Sequence, residues 1–232
     1  TDAVDFGHLP HLANLPERTI SAWIYGDDDP PNSEQNYIAG FFADHAAFAI
    51  YYNPVAKRAT FIQKYAGAGG GQGVWATPDN SVENNTLYSV IVKKDLYSDN
   101  PPVIYLGGVE QTLQVLIAPP AGRTAYPEDG ISFVIGNVKT NTIDYEYAFH
   151  GEIADTRLYD RFVTDDEAVA IDAAGPFGDA VNDMIFQGCA IDPDLGDAAS
   201  LDGQQIPAGH NYFENILRNV GIPHGAPIIR EP

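Results

Sequence analysis

Polar and apolar residues alternate through most of the first 160 positions, in short and closely punctuated runs. Ile20, Ala22 and Ile24 alternate with Thr19, Ser21, Trp23 and Tyr25, which is the period of a β-strand. The same alternation, or a short apolar run bounded by turn residues, predicts strands over 3–6, 19–25, 37–42, 47–52, 59–63, 73–76, 87–94, 103–106, 109–113, 132–135 and 148–159. Gly107-Gly108 falls between two of these runs and is a strong signal for a two-residue hairpin. The 22 Gly and 17 Pro residues keep the runs short, as in a sandwich or barrel.

Two stretches carry a helical period instead. Thr164-Asp165-Asp166-Glu167 is a capping box that opens a short helix over 164–173: the Thr hydroxyl takes a backbone N–H three residues on, and the Glu reaches back. Near the C-terminus, Tyr212, Phe213, Ile216, Leu217 and Val220 fall on one face of a helix over 210–220. Gly221 suits its C-terminal cap, and Pro223 lies just beyond. The Pro-rich residues 222–232 read as an extended arm. This helix face and Pro223 are the candidate interface with partner proteins.

The stretch from Gly151, GEIADTRLYDRFVTDDE, set beside TISAWIY from Thr19, resembles the laminin-G-like, concanavalin A-like jelly-roll family. Gly151, Ile153, Asp155, Arg157, Tyr159, Arg161, Thr164 and Glu167 stand at the positions of the family's late motif. Residues 103–108 and 131–136 resemble two further family strands, so the likeness runs over about residues 3–172. It implies an all-β, antiparallel two-sheet jelly-roll sandwich over 1–175. A C-terminal extension over 176–232 would add a strand, an acidic loop, the helix and the arm. That tail looks like those of jelly-roll proteins encoded by tailed viruses. The likeness implies a non-enzymatic structural protein on the exterior of a virion, a capsid decoration or turret-type protein that forms homo-oligomers and contacts capsid proteins. The alternative is an extracellular carbohydrate-binding adhesion module, calcium-dependent in some members of the family. A glycoside hydrolase is third.

Charge narrows the partners. Twelve basic and 32 acidic residues give a net charge of −20, the wrong sign for nucleic-acid phosphates or an anionic membrane. No apolar run is long enough to span a bilayer as a helix. The single cysteine, Cys189, excludes an intrachain disulfide.

Candidate chemistry is sparse. Glycan hydrolysis needs two carboxylates astride the scissile bond. Glu152 and Asp155 differ by an odd number, so simple alternation sends them to opposite faces. Asp144, Glu146, His150 and Glu152 share parity, but Gly151 and the polar stretch before it predict an interrupting loop. No catalytic residue is expected and no cofactor is required. Calcium is the one candidate ion, since it takes six to eight oxygens. Its candidate ligands are Asp27, Asp28 and Asp29 after the second strand, and Asp192, Asp194 and Asp197 in the acidic loop. The Pro between His8 and His11 denies that pair the helical spacing of a zinc site. Surface glycans would stack on aromatic faces, for which Tyr51, Tyr52 and Trp75 are the candidates.

Overall fold

The computed structural model describes residues 3–27, 35–42, 46–67, 71–137, 147–176 and 186–187. Its strands in chain order are β1 (Val4–His8), β2 (Glu17–Gly26), β3 (Asn36–Phe42), β4 (Ala46–Asn53), β5 (Arg58–Lys64), β6 (Gln72–Ala76) and β7 (Leu87–Asp95). There follow β8 (Val103–Leu106), β9 (Val109–Glu110), β10 (Gln114–Ile117), β11 (Ser132–Ile135) and β12 (Gly151–Tyr159), then the helix α1 (Asp165–Ala174) and β13 (Phe186–Gln187). Seven strands form one antiparallel sheet in the order β1-β11-β3-β4-β5-β6-β10, and six form the other, β13-β12-β2-β7-β8-β9. This is the expected two-sheet jelly roll.

Alternation decides what lies between the sheets. Ile20, Ala22 and Ile24 of β2 and Val90 and Val92 of β7 face Ile38, Phe41, Phe48, Ile50, Phe61, Trp75 and Phe133 of the larger sheet. The ring centroids of Phe41 and Phe133 are 5.1 Å apart. Burying each such side chain is worth roughly 1.5–3 kcal/mol.

The outer face of the six-stranded sheet is roofed by α1. Val163, Ala168 and Ile171 pack on Ile91, Tyr105 and Tyr159. The capping box forms as expected: Glu167 N–H donates to Thr164 Oγ1 at 3.2 Å and Thr164 N–H to Glu167 Oε2 at 2.7 Å. Arg161 grips Glu167 through two bonds of 2.7 and 2.8 Å. The early and late motifs meet at one hydroxyl. Thr19 Oγ1 donates to the Arg161 carbonyl at 2.8 Å and accepts from Val163 N–H at 3.0 Å. Gly107 and Gly108, at φ +55° and +70°, turn β8 into β9 with Leu106 opposite Val109.

Several expectations need correction. Residues 109–113 do not make one strand. Val109–Glu110 pairs with β8, the chain crosses between sheets over 111–113, and β10 pairs with β6. The strand expected from 148 starts at Gly151. There φ is +128°, and a Cβ would stand 1.9 Å from the Tyr25 carbonyl oxygen, so only glycine fits.

Alternation also fails near Asp155. The register with β2 shifts between Ala154 and Arg157, and Asp155 has φ +50°. That bulge breaks the parity argument. Burial separates the two acids instead. Glu152 is exposed, whereas Asp155 is buried and bonds Arg157 through Nε at 2.8 Å and Nη2 at 2.5 Å.

The three aromatic glycan candidates are all buried. Tyr52 and Trp75 belong to the core between the sheets. Tyr51, one residue from Tyr52, turns to the outer face of the larger sheet, among Tyr37, Phe42, Ile62, Val74 and Val134. None of the three offers an open ring face.

Candidate functional site

One end of the sandwich is built on buried charges. Here β2 begins, β5 and β7 finish, and the loops 9–16, 96–102 and 118–131 meet. Arg18 continues the inward-facing series of Ile20 and Ala22, so its guanidinium points between the sheets. It lies 4.7 Å above the Phe48 ring, a favourable cation–π contact. Its partner is Glu128: Nη1–Oε1 is 2.9 Å and Nη2–Oε2 is 3.0 Å, with the side chains 3% and 0% exposed. Glu128 also accepts Asn14 N–H at 2.6 Å, and its own N–H donates to Asn14 Oδ1 at 3.0 Å. One ion pair therefore clamps two loops that are distant in sequence. His8 adds to the clamp, its Nδ1 accepting Gly130 N–H at 3.1 Å.

Lys94 organises the third loop in the same way. Its ammonium donates to the carbonyls of Asp95, Ser98 and Asn100 at 2.7, 2.5 and 3.0 Å. Burial pushes its pKa down to about 8, although the Asp95 and Asp99 carboxylates pull upward; nearby Arg18 adds to the depression. Gln63 Nε2 donates to the Leu96 carbonyl at 3.1 Å. Asp99 Oδ2 accepts Gly122 N–H at 3.1 Å and so joins this loop to the segment before Glu128. Burial, with Asp99 nearby, pushes the Tyr65 hydroxyl up to about 12.

The braced loops carry two exposed aromatics. Tyr97 is 61% and Tyr126 40% exposed. The Tyr97 hydroxyl lies 3.4 Å from the Asn14 carbonyl, and Tyr126 stands two residues before Glu128. The Tyr97 hydroxyl is thus linked through Asn14 to the buried pair, while Tyr126 N–H donates to the Lys64 carbonyl at 2.9 Å. Asp99 and Asp129 in the same two loops, and Glu17 at the start of β2, are also exposed. These loops therefore present exposed rings and exposed carboxylates. The loops are already fixed, so a ligand need not order them.

The strand-based sequence reading missed both tyrosines. Tyr97 follows Asp95-Leu96 and precedes Ser98-Asp99-Asn100; Tyr126 precedes Pro127-Glu128-Asp129-Gly130. An aromatic inside a turn-forming polar stretch is the signal that could have found them, because strand aromatics go to the core.

The other sequence candidates are placed as follows. Asp27 is exposed at the opposite end of the sandwich, where its N–H donates to the His150 carbonyl at 3.0 Å. Asp28, Asp29, Asp192, Asp194 and Asp197 lie outside the described residues. So do Asp144 and Glu146, and the interface candidates Tyr212, Phe213, Ile216, Leu217, Val220 and Pro223. Among the described residues, no three His, Cys, Asp or Glu side chains gather as metal ligands. No described helix is long and apolar enough to cross a membrane.

The two packed antiparallel sheets define a concanavalin A-like jelly roll. The family model described as the concanavalin A-like lectin/glucanases superfamily matches residues 1–169, and the chain belongs to that superfamily. No curated protein matches the chain. Among solved structures, it is similar to the ligand-binding domain of botulinum neurotoxin serotype D in complex with N-acetylneuraminic acid. That likeness has a TM-score of 0.52 and 12% identity, over 75% of this chain and 40% of the other. It is also similar to a candidate carbohydrate-binding protein from Bacteroides ovatus, with a TM-score of 0.50 and 15% identity, over 82% of this chain and 49% of the other. The chain therefore spans less than half the length of either structure.

Proposed function

We propose that the chain is a non-catalytic carbohydrate-binding module of a surface or extracellular protein, engaging glycans at the charged end through Tyr97 and Tyr126. The observation that carries this reading is the pair of exposed rings on loops held by buried charge. A pyranose presents a C–H face that a ring can cover and hydroxyls that donate to carboxylates. The superfamily and the glycan-associated neighbours support the same class of ligand. Asp99, Asp129 and Glu17 oppose an anionic sugar, so neutral glycans are the preferred ligands. The virion role rests on the sequence of the tail, of which only Phe186–Gln187 fall within the described residues.

The test is a glycan-array screen of the intact chain, with and without calcium, followed by calorimetry on any ligand found. Tyr97→Ala and Tyr126→Ala are each expected to weaken binding about tenfold or more while the melting temperature stays near that of the parent. Binding to no neutral glycan, or binding indifferent to both substitutions, overturns the reading.

A further inference from the structure

Two apolar surfaces of this chain call for a partner, one seen in the structure and one read from the sequence. The first lies at the edge of the seven-stranded sheet, where Val115, Leu116 and Ile117 of β10 are 40 to 55% exposed. Val109 of β9, on the adjoining edge of the other sheet, is also exposed, and residues 111–113 join the two strands. This edge is ill suited to a further strand. The register with β6 shifts between Val115 and Ile117, so Leu116 is a bulged residue. A bulge bends its strand and guards an edge against regular pairing. Pro119-Pro120 follows, with no N–H to donate. The strip therefore offers apolar side chains rather than a ladder, and residues 111–122 carry no charge. The second surface is the face of Tyr212, Phe213, Ile216, Leu217 and Val220 on the helix read over 210–220. Isolated helices shorter than about 12–15 residues are marginal in water, so this one needs a surface to pack on.

We infer that the C-terminal helix docks by this face on the β9–β10 strip of its own chain. Charge selects the pair. The chain carries a net charge of −20, yet residues 203–229 hold only Glu214 and Arg218, which cancel. The uncharged strip and the neutral helix therefore meet without bringing carboxylates together. Asp192, Asp194, Asp197 and Asp202 fall in the connecting stretch, which stays in water. Length fits as well. A helix over 210–220 is about 16 Å long, and four strand residues span about 13 Å. The tail also reaches. β13 and β9 are the two edges of the six-stranded sheet, roughly 24 Å apart at the usual strand spacing. Residues 188–209 extend to roughly 70 Å. The broad faces of the sandwich are already taken: α1 covers Ile91, Tyr105 and Tyr159, and the outer cluster around Tyr37 and Tyr51 is buried. A tethered helix meets the strip at a high effective concentration, which favours it over a second copy or a foreign protein.

Trypsin digestion of the full chain tests this, because Arg218 lies within the helix. Cleavage after Arg218 is expected to be much slower in the full chain than in a synthetic peptide of residues 203–232. Leu116→Glu is expected to speed that cleavage about tenfold, since a carboxylate is costly to bury without a partner. Val55→Glu, on an exposed turn between β4 and β5, makes the same charge change and should leave the rate unaltered. Cleavage after Arg123, just beyond the strip, should stay constant in both variants, as it does only if the strip itself remains folded. A disulfide then places the contact. In a Cys189→Ser background, Leu116→Cys with Leu217→Cys is expected to oxidise to a cross-linked monomer at every protein concentration, and Val55→Cys with Leu217→Cys is not. Cleavage after Arg218 as fast as in the peptide overturns the inference. So does cleavage indifferent to Leu116→Glu, or a disulfide that joins two chains instead of closing within one.

Discussion

The two ends of the sandwich are built by different chemistry. At the charged end, Arg18–Glu128 and Lys94 hold three loops from inside the fold. At the opposite end, the loops are held by short polar side chains and by residues with positive φ. Asn53 Oδ1 accepts Ala56 N–H at 2.8 Å, Thr77 and Ser81 share a bond of 2.7 Å, and Lys57, Asn80 and Asn85 have φ of +52°, +61° and +57°. Longer-range bonds there, such as Asp27 N–H to the His150 carbonyl and the half-exposed Arg58–Asp79 pair at 2.7 Å, involve no fully buried charge. The Arg18–Glu128 bond spans 110 positions. Local brackets can fail one at a time, whereas a buried ion pair fails for every loop it holds. The buried pair therefore couples the charged-end loops to one another.

The largest expected effect comes from breaking that pair. Glu128→Gln leaves the Arg18 guanidinium buried without a counter-charge and is expected to lower the unfolding free energy by about 3–5 kcal/mol. Replacing both, as Arg18→Met with Glu128→Leu, should lose clearly less, because no charge is then stranded. Urea denaturation of the three proteins checks both statements. If the single and double variants lose the same amount, the buried charge is not what braces this end.

Lys94 gives the next effect, and its sign is fixed by the direction of the shift. The folded chain releases the Lys94 proton near pH 8, and the unfolded chain near the ordinary value of 10.5. Between those values the unfolded state binds more protons, so stability rises with pH through this window. The penalty of burying the charge is fully present below pH 8. The gain is about 2–3 kcal/mol. Tyr65 acts in the opposite sense, and only above pH 10, where the unfolded chain begins to lose tyrosine protons. Denaturation from pH 7 to 10 should show the rise in the parent and not in Lys94→Met. Parallel curves for the two proteins would remove Lys94 as its source.

Thr164→Ala sets the scale for a local bracket on the outer face of the six-stranded sheet. Loss of the cap should lower stability by about 1 kcal/mol. The Arg161 contact holds Glu167 down to about 2, so its contribution is present above pH 4.5 and fades as pH falls toward 2. Both side chains are about a third exposed, which keeps that contribution small. The smallest effect belongs to Asn80→Gly at the opposite end. Glycine accepts the left-handed backbone readily, so the change should be within about 0.5 kcal/mol. A loss there as large as that of Glu128→Gln would erase the contrast between the ends.

The same contrast explains what could be read from the sequence. Alternation at Ile20, Ala22 and Ile24, the Gly107-Gly108 turn and the Thr164–Glu167 cap are signals contained within a few residues, and all three stand in the structure. Nothing local announces that Arg18 belongs to Glu128, 110 positions away. The bulge at Asp155 was hidden too, because no Gly, Asn or Pro marks the positive φ at Asp155. Tyr51, Tyr52 and Trp75 were aromatic residues in strands, and strands placed them in buried clusters. Tyr97 and Tyr126 sat in turn-rich stretches, where exposure is the rule. The late motif itself serves the architecture: Asp155 and Arg157 pair beneath the sheet surface, Arg161 and Glu167 fix α1, and none of these four groups stands at the loop surface.

Amide hydrogen exchange of the intact chain, with and without a neutral glycan recovered from the array, tests the central claim most directly. The account predicts that the ligand slows exchange across residues 96–102 and 124–131 and leaves residues 53–57 and 77–86 at the opposite end unchanged. Protection confined to the opposite end, with the charged-end loops exchanging as before, would contradict it.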